Sequence, residues 1–285
     1  MKFLLDKYEE IGSERKNTLQ VFISNKCNLN CEGCFARNIV EGEDDFISLR
    51  EYRDAVVKAC KMGVRQINFL GGEPLLHPQF KELIHFNKLL GLKTTVYSNG
   101  LLIDKHDPED FKEAKLRVSF YNLEGYKGVK NFKETNISFD ACFMVSSGTT
   151  INELIESAEY LEENFNCGVF FISSIRELDN PEQEFFNDTD LTMPVIEYKK
   201  LVCGFLNEYD GSMEVHISKR GVFESTKVVA ENKCKFANHF IGGKIIQCPY
   251  DIVNLKYQDD YEFDKRSCQH SSTCLMSKVI YKRRK

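Results

Sequence analysis

Apolar residues in this chain follow two rhythms. Short runs rich in β-branched and aromatic residues, bounded by polar turns, recur at 19–24, 66–70, 93–97, 116–121, 136–145 and 168–173, and each reads as a strand. Between them the spacing stretches to three and four residues, the period of an amphipathic helix. The best-marked helix follows Ser48, with Glu51 three residues on as the second half of a capping box. Its apolar stripe is Tyr52, Ala55, Val56, Ala59, Cys60 and Met62, and Gly63 stops it. Further helices are predicted over 79–90, closed by Gly91, over 152–165, and over 195–209, with a last strand over 213–217. Strand and helix alternate, so parallel pairing with crossover helices follows, and the class is α/β. Residues 1–17 are charged and irregular and read as a surface lead-in. Residues 37–47 read as an acidic loop, and 177–194, with Pro181 and Pro194 near its ends, as a linker or lid.

The first strand runs into Cys27, Cys31 and Cys34, a C-x3-C-x2-C spacing on one tight loop. Three thiolates so spaced each reach a different iron of a cubane cluster and leave the fourth iron open. A structural zinc site is the alternative, but zinc usually takes four protein ligands, and one loop here supplies three. The loop leaves the carboxyl end of a strand, where α/β folds place their ligands. Gly71-Gly72-Glu73-Pro74 leaves the second strand in the same way, with glycines that let main chain approach a ligand closely.

Together these two stretches resemble the radical S-adenosylmethionine (radical SAM) superfamily, over roughly residues 18–180. The resemblance implies an incomplete (β/α)6 TIM-like barrel and a [4Fe-4S] cluster on Cys27, Cys31 and Cys34. It also implies S-adenosylmethionine chelated at the open iron and cleaved by one electron to a 5′-deoxyadenosyl radical, which takes a hydrogen atom from substrate. Gly71, Gly72, Glu73 and Pro74 would then hold the methionyl amino group. Ser98 and Asn99, in Ser98-Asn99-Gly100, resemble the family's turn beside the ribose, although a plain Asn-Gly turn reads the same way. The family's adenine-contacting aromatic precedes the third cysteine; here Gly33 stands there and the aromatic is Phe35. Ser119 would point towards the cofactor. Arg176 would pair with its carboxylate, or be an ordinary surface arginine.

Composition narrows the setting. The net charge is −5, which gives no general polyanion surface, so nucleic acid is not the expected partner. No apolar run is long enough for a membrane span and the N-terminus does not read as a signal peptide, so a cytoplasmic protein is expected. Eleven cysteines, an odd number, suit metal ligation and free thiols in a reducing compartment. Cys234, Cys248, Cys268 and Cys274 fall in a polar, turn-rich ending with little core of its own, where a metal would hold the fold. Cys234 and the hairpin return around Gly243 and Cys248 resemble the auxiliary-cluster extensions called SPASM and Twitch. Four cysteines suit the smaller Twitch form, with a second [4Fe-4S] cluster; zinc, with His270 or His239 replacing one thiol, is the alternative.

The domains expected are a lead-in over 1–17, a barrel over 18–180, a linker, helix and strand over 181–230, and a cysteine-rich lobe over 231–285. The expected activity is oxidation, epimerisation or crosslinking of a peptide or carbohydrate-type small molecule, with flavodoxin or ferredoxin as electron donor. Cys203, Cys142 and Cys167, in that order, are candidate hydrogen donors for an epimerase, and Cys142 and Cys167 also read as core thiols. The short lead-in leans away from a long leader peptide as substrate. The alternatives are a nucleotide-modifying enzyme or methyltransferase with a structural zinc, and a non-catalytic iron–sulfur or zinc sensor.

Overall fold

The computed structural model describes residues 8–14, 18–31, 34, 45–120, 128–133, 135, 137–174, 191, 193–218, 238–241, 244–246 and 278–283. In chain order these form β1 (Tyr8–Glu14), β2 (Thr18–Ser24), α1 (Leu49–Lys61), β3 (Gln66–Gly71), α2 (Phe80–Leu89), β4 (Lys93–Ser98), β5 (Ala114–Ser119), β6 (Phe139–Val145), α3 (Ile151–Asn164), β7 (Cys167–Ser174), α4 (Val195–Glu208), β8 (Glu214–Ser218), β9 (Asn238–Ile241), β10 (Lys244–Ile246) and β11 (Lys278–Arg283). Among the described residues, short 3-10 turns lie between β4 and β5 and between β5 and β6.

All eleven strands form one sheet in the order β1-β11-β8-β7-β6-β5-β4-β3-β2-β9-β10. The run from β2 to β8 is parallel throughout. The six strands expected in the barrel are present, and the further strand expected over 213–217 forms β8, which is reached through α4 and joins the parallel run as a seventh. One hydrophobic core joins the stripes of α1 (Tyr52, Val56, Ala59), α2 (Leu83, Ile84), α3 (Leu154, Ala158, Leu161) and α4 (Tyr198, Leu201, Val202) to alternate strand residues such as Val21, Phe69, Val96, Val118, Ala141, Ile172 and Val215. Every helix thus covers the same face. A parallel sheet whose crossovers all lie on one side curls towards a barrel, in contrast to a doubly wound sheet covered on both faces. Among the described residues the sheet does not close.

Local rules explain the boundaries. Ser48 accepts from the Glu51 N–H, and Glu51 reaches back to the Ser48 N–H, so the capping box forms as read. Gly63 and Gly91 follow α1 and α2 at φ +90° and +68°, where a side chain would be strained.

The two ends of the chain differ from expectation. The lead-in read as irregular contains β1, which pairs antiparallel with β11, and β11 lies within the stretch read as a cysteine-rich lobe. Neither segment alternates cleanly, because each lies near an edge of the sheet. Past β8, on one rim, the chain re-enters the sheet on the opposite rim as β9, parallel to β2 (Leu19 beside Asn238, Val21 beside Phe240). It turns back as β10 and returns to pair β11 with β8. The hairpin expected before Cys248 is therefore present, but Cys234, Cys248, Cys268 and Cys274 lie outside the described residues, as do His270, Phe35 and Arg176.

Candidate functional site

The carboxyl ends of β2, β3 and β4 are tied together by main-chain and carboxylate hydrogen bonds. After β2 the chain passes through Asn25 and Lys26 into the cysteine loop. The Gly72 N–H donates to the Ser24 carbonyl at 2.8 Å and the Glu73 N–H to the Lys26 carbonyl at 2.7 Å. The turn after β3 is thereby zipped onto the stem of the loop. This close approach explains the glycines: a Cβ at Gly71 would lie 2.1 Å from the Ser24 oxygen, and one at Gly72 would lie 2.2 Å from the Lys26 oxygen. Their smallness serves this protein–protein contact, whatever approach to a ligand it also permits.

Glu73 is 1 % exposed, and its side chain points inward as a clamp. One carboxylate oxygen accepts from the Leu75 N–H (3.0 Å) and the Ser98 hydroxyl (2.8 Å), the other from the Asn99 N–H (2.8 Å). Burial pushes its pKa up, and the three donors pull it back down. The Ser98 hydroxyl, expected beside a ribose, is thus engaged with Glu73. Asn99 closes the ring by donating from Nδ2 to Asn28 Oδ1, on the cysteine loop, at 2.7 Å. Gly100 takes φ +75°, as its place in a tight turn requires.

On the loop, Cys27 is exposed and Cys31 and Cys34 are half-buried. Burial raises the Cys27 thiol above its ordinary range, and Glu73, Cys31 and Cys34 add to this, while the Leu29 N–H, 3.4 Å from its sulfur, works against it. Among the described residues no group of three or more His, Cys, Asp or Glu side chains is gathered tightly enough to hold a metal ion. Charge on Cys31 and Cys34 nonetheless reaches Cys27, and a cationic iron centre would turn that repulsion into attraction. Donor type and number therefore fit a cubane with one open iron.

His77, 3 % exposed, anchors the far end of the acidic loop. Its Nδ1 accepts from the Gln79 N–H at 3.0 Å, so the ring is neutral and Nε2–H donates to the Ile47 carbonyl at 2.9 Å. Burial holds its pKa below 6.5. The unfolded chain therefore takes up this proton at a higher pH than the folded protein does. The stability from His77 is complete above about pH 6.5 and declines as pH falls below it. Urea midpoints at pH 7.5 and 5.5 should fall more for the wild type than for His77→Asn; equal falls would show that His77 does not titrate this way.

The face of the sheet away from the helices carries many polar residues, interspersed with Phe22, Leu70, Met144 and Phe171. Along β5, Leu116 and Val118 enter the core while Lys115, Arg117 and Ser119 face the other side; along β6, Ala141 and Phe143 enter it while Asp140 and Cys142 do not. Gln20, Asn68, Thr95, Ser173 and His216 are buried there too. A filled barrel would carry Val, Ile and Leu at such positions. Ser119 lies directly across from Cys142 on this face. Cys203 is on α4, in the helical layer, and is buried. Cys167 lies at the start of β7, the end remote from the cysteine loop, with its thiol pushed up to about 12 by burial. The sequence reading missed Arg117, Tyr97 and Asp140, although the alternation Lys115-Leu116-Arg117-Val118-Ser119 signals a polar face.

Comparisons with known proteins were consistent with this architecture. The description "Radical SAM superfamily" matches residues 21–186. A GTP 3',8-cyclase from Aquifex aeolicus is 26% identical over 74% of this chain and 64% of its own length. An S-adenosylmethionine-dependent nucleotide dehydratase from Thermoplasmatales archaeon (strain ISO4-H5) is 34% identical over 33% of each chain. The match thus spans a third to just under two thirds of these relatives. Streptococcus suis SuiB bound to S-adenosylmethionine superposes with a TM-score of 0.67 at 17% identity, over 85% of this chain and 63% of that one. Native anSMEcpe with bound AdoMet gives 0.60 at 15%, over 90% and 87%. Among the described residues no helix is long and apolar enough to cross a membrane.

Proposed function

This chain belongs to the radical SAM superfamily, and from that premise we propose that it cleaves S-adenosylmethionine reductively and removes a hydrogen atom from a small molecule or peptide held on the polar face of the barrel. The observation that carries this reading is the junction at the carboxyl ends of β2, β3 and β4. The stem of the cysteine loop, a glycine turn and the Ser98–Asn99 turn are hydrogen-bonded into one frame there, beside a buried polar wall. Cys27, Cys31 and Cys34 would hold the [4Fe-4S] cluster, and main chain at Gly71 to Pro74 would face the amino group of S-adenosylmethionine. Bound cluster and cofactor supply the electron and the radical; the protein supplies position and a dry wall. Ser119 faces this wall, and Cys142 beside it replaces Cys203 as our first candidate hydrogen donor, because Cys203 is in the helical layer. Phe35 and Arg176 remain proposed contacts to the cofactor.

Oxidation, epimerisation or crosslinking of a peptide or carbohydrate-type substrate is the preferred chemistry. The likeness to SuiB, whose structure bound to precursor peptide SuiA has a TM-score of 0.67, supports the fold for it. A nucleotide substrate is the second reading, favoured by the cyclase relative that aligns over 74% of the chain. In the lobe over 231–285, Cys234, Cys248, Cys268 and Cys274 would hold a second [4Fe-4S] cluster, or zinc. Flavodoxin or ferredoxin would deliver the electron.

Metal analysis and EPR on anaerobically purified protein test both parts. Two cubanes predict about eight irons per chain. About four irons with one zinc would make the lobe structural. No 5′-deoxyadenosine from reduced, reconstituted protein would overturn the enzymatic reading.

A further inference from the structure

We propose that Arg117, on the polar face of β5, is the receptor for a carboxylate of the substrate. The inference rests on the reading of that face as the substrate wall and names a chemical group the substrate carries.

Arg117 is 6 % exposed. One terminal nitrogen donates to Asp140 Oδ2 at 2.9 Å and the other to the Tyr97 hydroxyl at 3.2 Å. The guanidinium carbon lies 5.4 Å from the centre of the Tyr97 ring and 5.2 Å from that of Phe171. Tyr97 pairs with Arg117 across β4 and β5, and Asp140 pairs with it across β5 and β6, so this frame belongs to the same face. The side chain is thus fixed at both terminal nitrogens and over its flat faces. Nε–H, however, is buried with no hydrogen-bond partner among the described residues. A buried donor on a charged group left unmatched is costly, and native structures rarely leave one without a ligand or water to answer it.

Charge sets the class of ligand. Lys115 also pairs with Asp140 Oδ2, at 2.8 Å, so among the described residues of this cluster two cations face one carboxylate and a single positive charge is left over. On β8, Glu214 and His216 pair with each other, further round the same face. An excess of one charge beside acidic neighbours suits a monoanion better than a phosphate dianion. The planar guanidinium presents its remaining N–H groups in the geometry a carboxylate accepts.

The test uses full-length, reconstituted protein under anaerobic conditions. Thermal midpoints are measured while acetate or inorganic phosphate replaces chloride at constant ionic strength, because a ligand of the folded state raises the midpoint saturably. Acetate should do so for the wild type, with at least tenfold weaker apparent affinity in Arg117→Gln. Asp140→Asn keeps the arginine and adds net positive charge, so it should bind acetate several-fold more tightly; it serves if Arg117→Gln does not fold. Equal acetate responses in the three proteins, no response in any, or a stronger response to phosphate than to acetate would overturn the proposal. Formation of 5′-deoxyadenosine by the wild type is measured on the same sample. Its absence would sink the enzymatic reading, whereas its presence without an acetate response would sink only the carboxylate site.

Discussion

Replacing Cys27, Cys31 and Cys34 together by alanine should reduce 5′-deoxyadenosine formation to the level of a no-enzyme control while leaving the protein folded. The two halves of this expectation have separate physical grounds. Activity depends on thiolate iron ligands, and methyl groups supply none. Stability should change little because no thiol of the loop lies in the hydrophobic core, and the bonds that fix the loop's stem come from main chain at Ser24 and Lys26. Exposed or half-buried side chains away from the core usually move stability by less than about 0.5 kcal/mol. Product assay and urea denaturation on one anaerobic preparation separate the two. If a second cluster is carried by the C-terminal cysteines, iron should fall by about half and not to zero. Product above the control would mean that the radical chemistry does not depend on these thiols. A collapsed urea midpoint would mean that the loop holds the fold together.

The parts of the site legible in sequence are those whose chemistry is written in adjacent residues. The cysteine spacing, the Gly71-Gly72-Glu73-Pro74 turn and the capping box at Ser48 are all local, and the turn and the capping box form where they were read. The β2–β8 strands were legible because short β-branched and aromatic runs bounded by polar turns recur along the chain. Cross-strand relations were less accessible. Nothing near Glu73 in sequence announces that its carboxylate reaches Ser98 and Asn99, since that contact exists only once β3 and β4 lie side by side. The Arg117–Asp140 pair escaped for the same reason, although alternation on β5 and β6 placed both residues on one face. The glycines were assigned to ligand approach, whereas the space they leave is filled by the Ser24 and Lys26 carbonyls. At the ends, β1 and β11 were missed because the relation that defines each is a pairing between the two far ends of the chain.

Glu73→Ala should be the most destabilising single change at this junction, by about 3–5 kcal/mol, the range for removing one partner from a buried charged network. The carboxylate is 1 % exposed and takes three donors, so alanine leaves the Leu75 and Asn99 N–H groups buried without an acceptor. The Ser98 hydroxyl also loses its acceptor, although it still receives the Gly100 N–H at 2.9 Å. Against a typical total of about 5–15 kcal/mol, such a loss moves a urea midpoint far. Glu73→Gln decides between two effects that pull in opposite directions. Burial has raised the pKa of this group, so removing the charge alone would be favourable. The amide, however, offers one acceptor oxygen where the carboxylate offered two, and turns its NH2 towards an N–H that already donates. Lost acceptance should win, at about 1–3 kcal/mol per unmatched donor. The order of urea midpoints should therefore be wild type, then Glu73→Gln, then Glu73→Ala. S-adenosylmethionine cleavage should fall along the same order at temperatures where each variant is still folded, because the turn after β3 would no longer be pinned to Asn99. A Glu73→Gln protein as stable as the wild type would show that the burial penalty exceeds the hydrogen bonds, and that the junction is held by main chain alone.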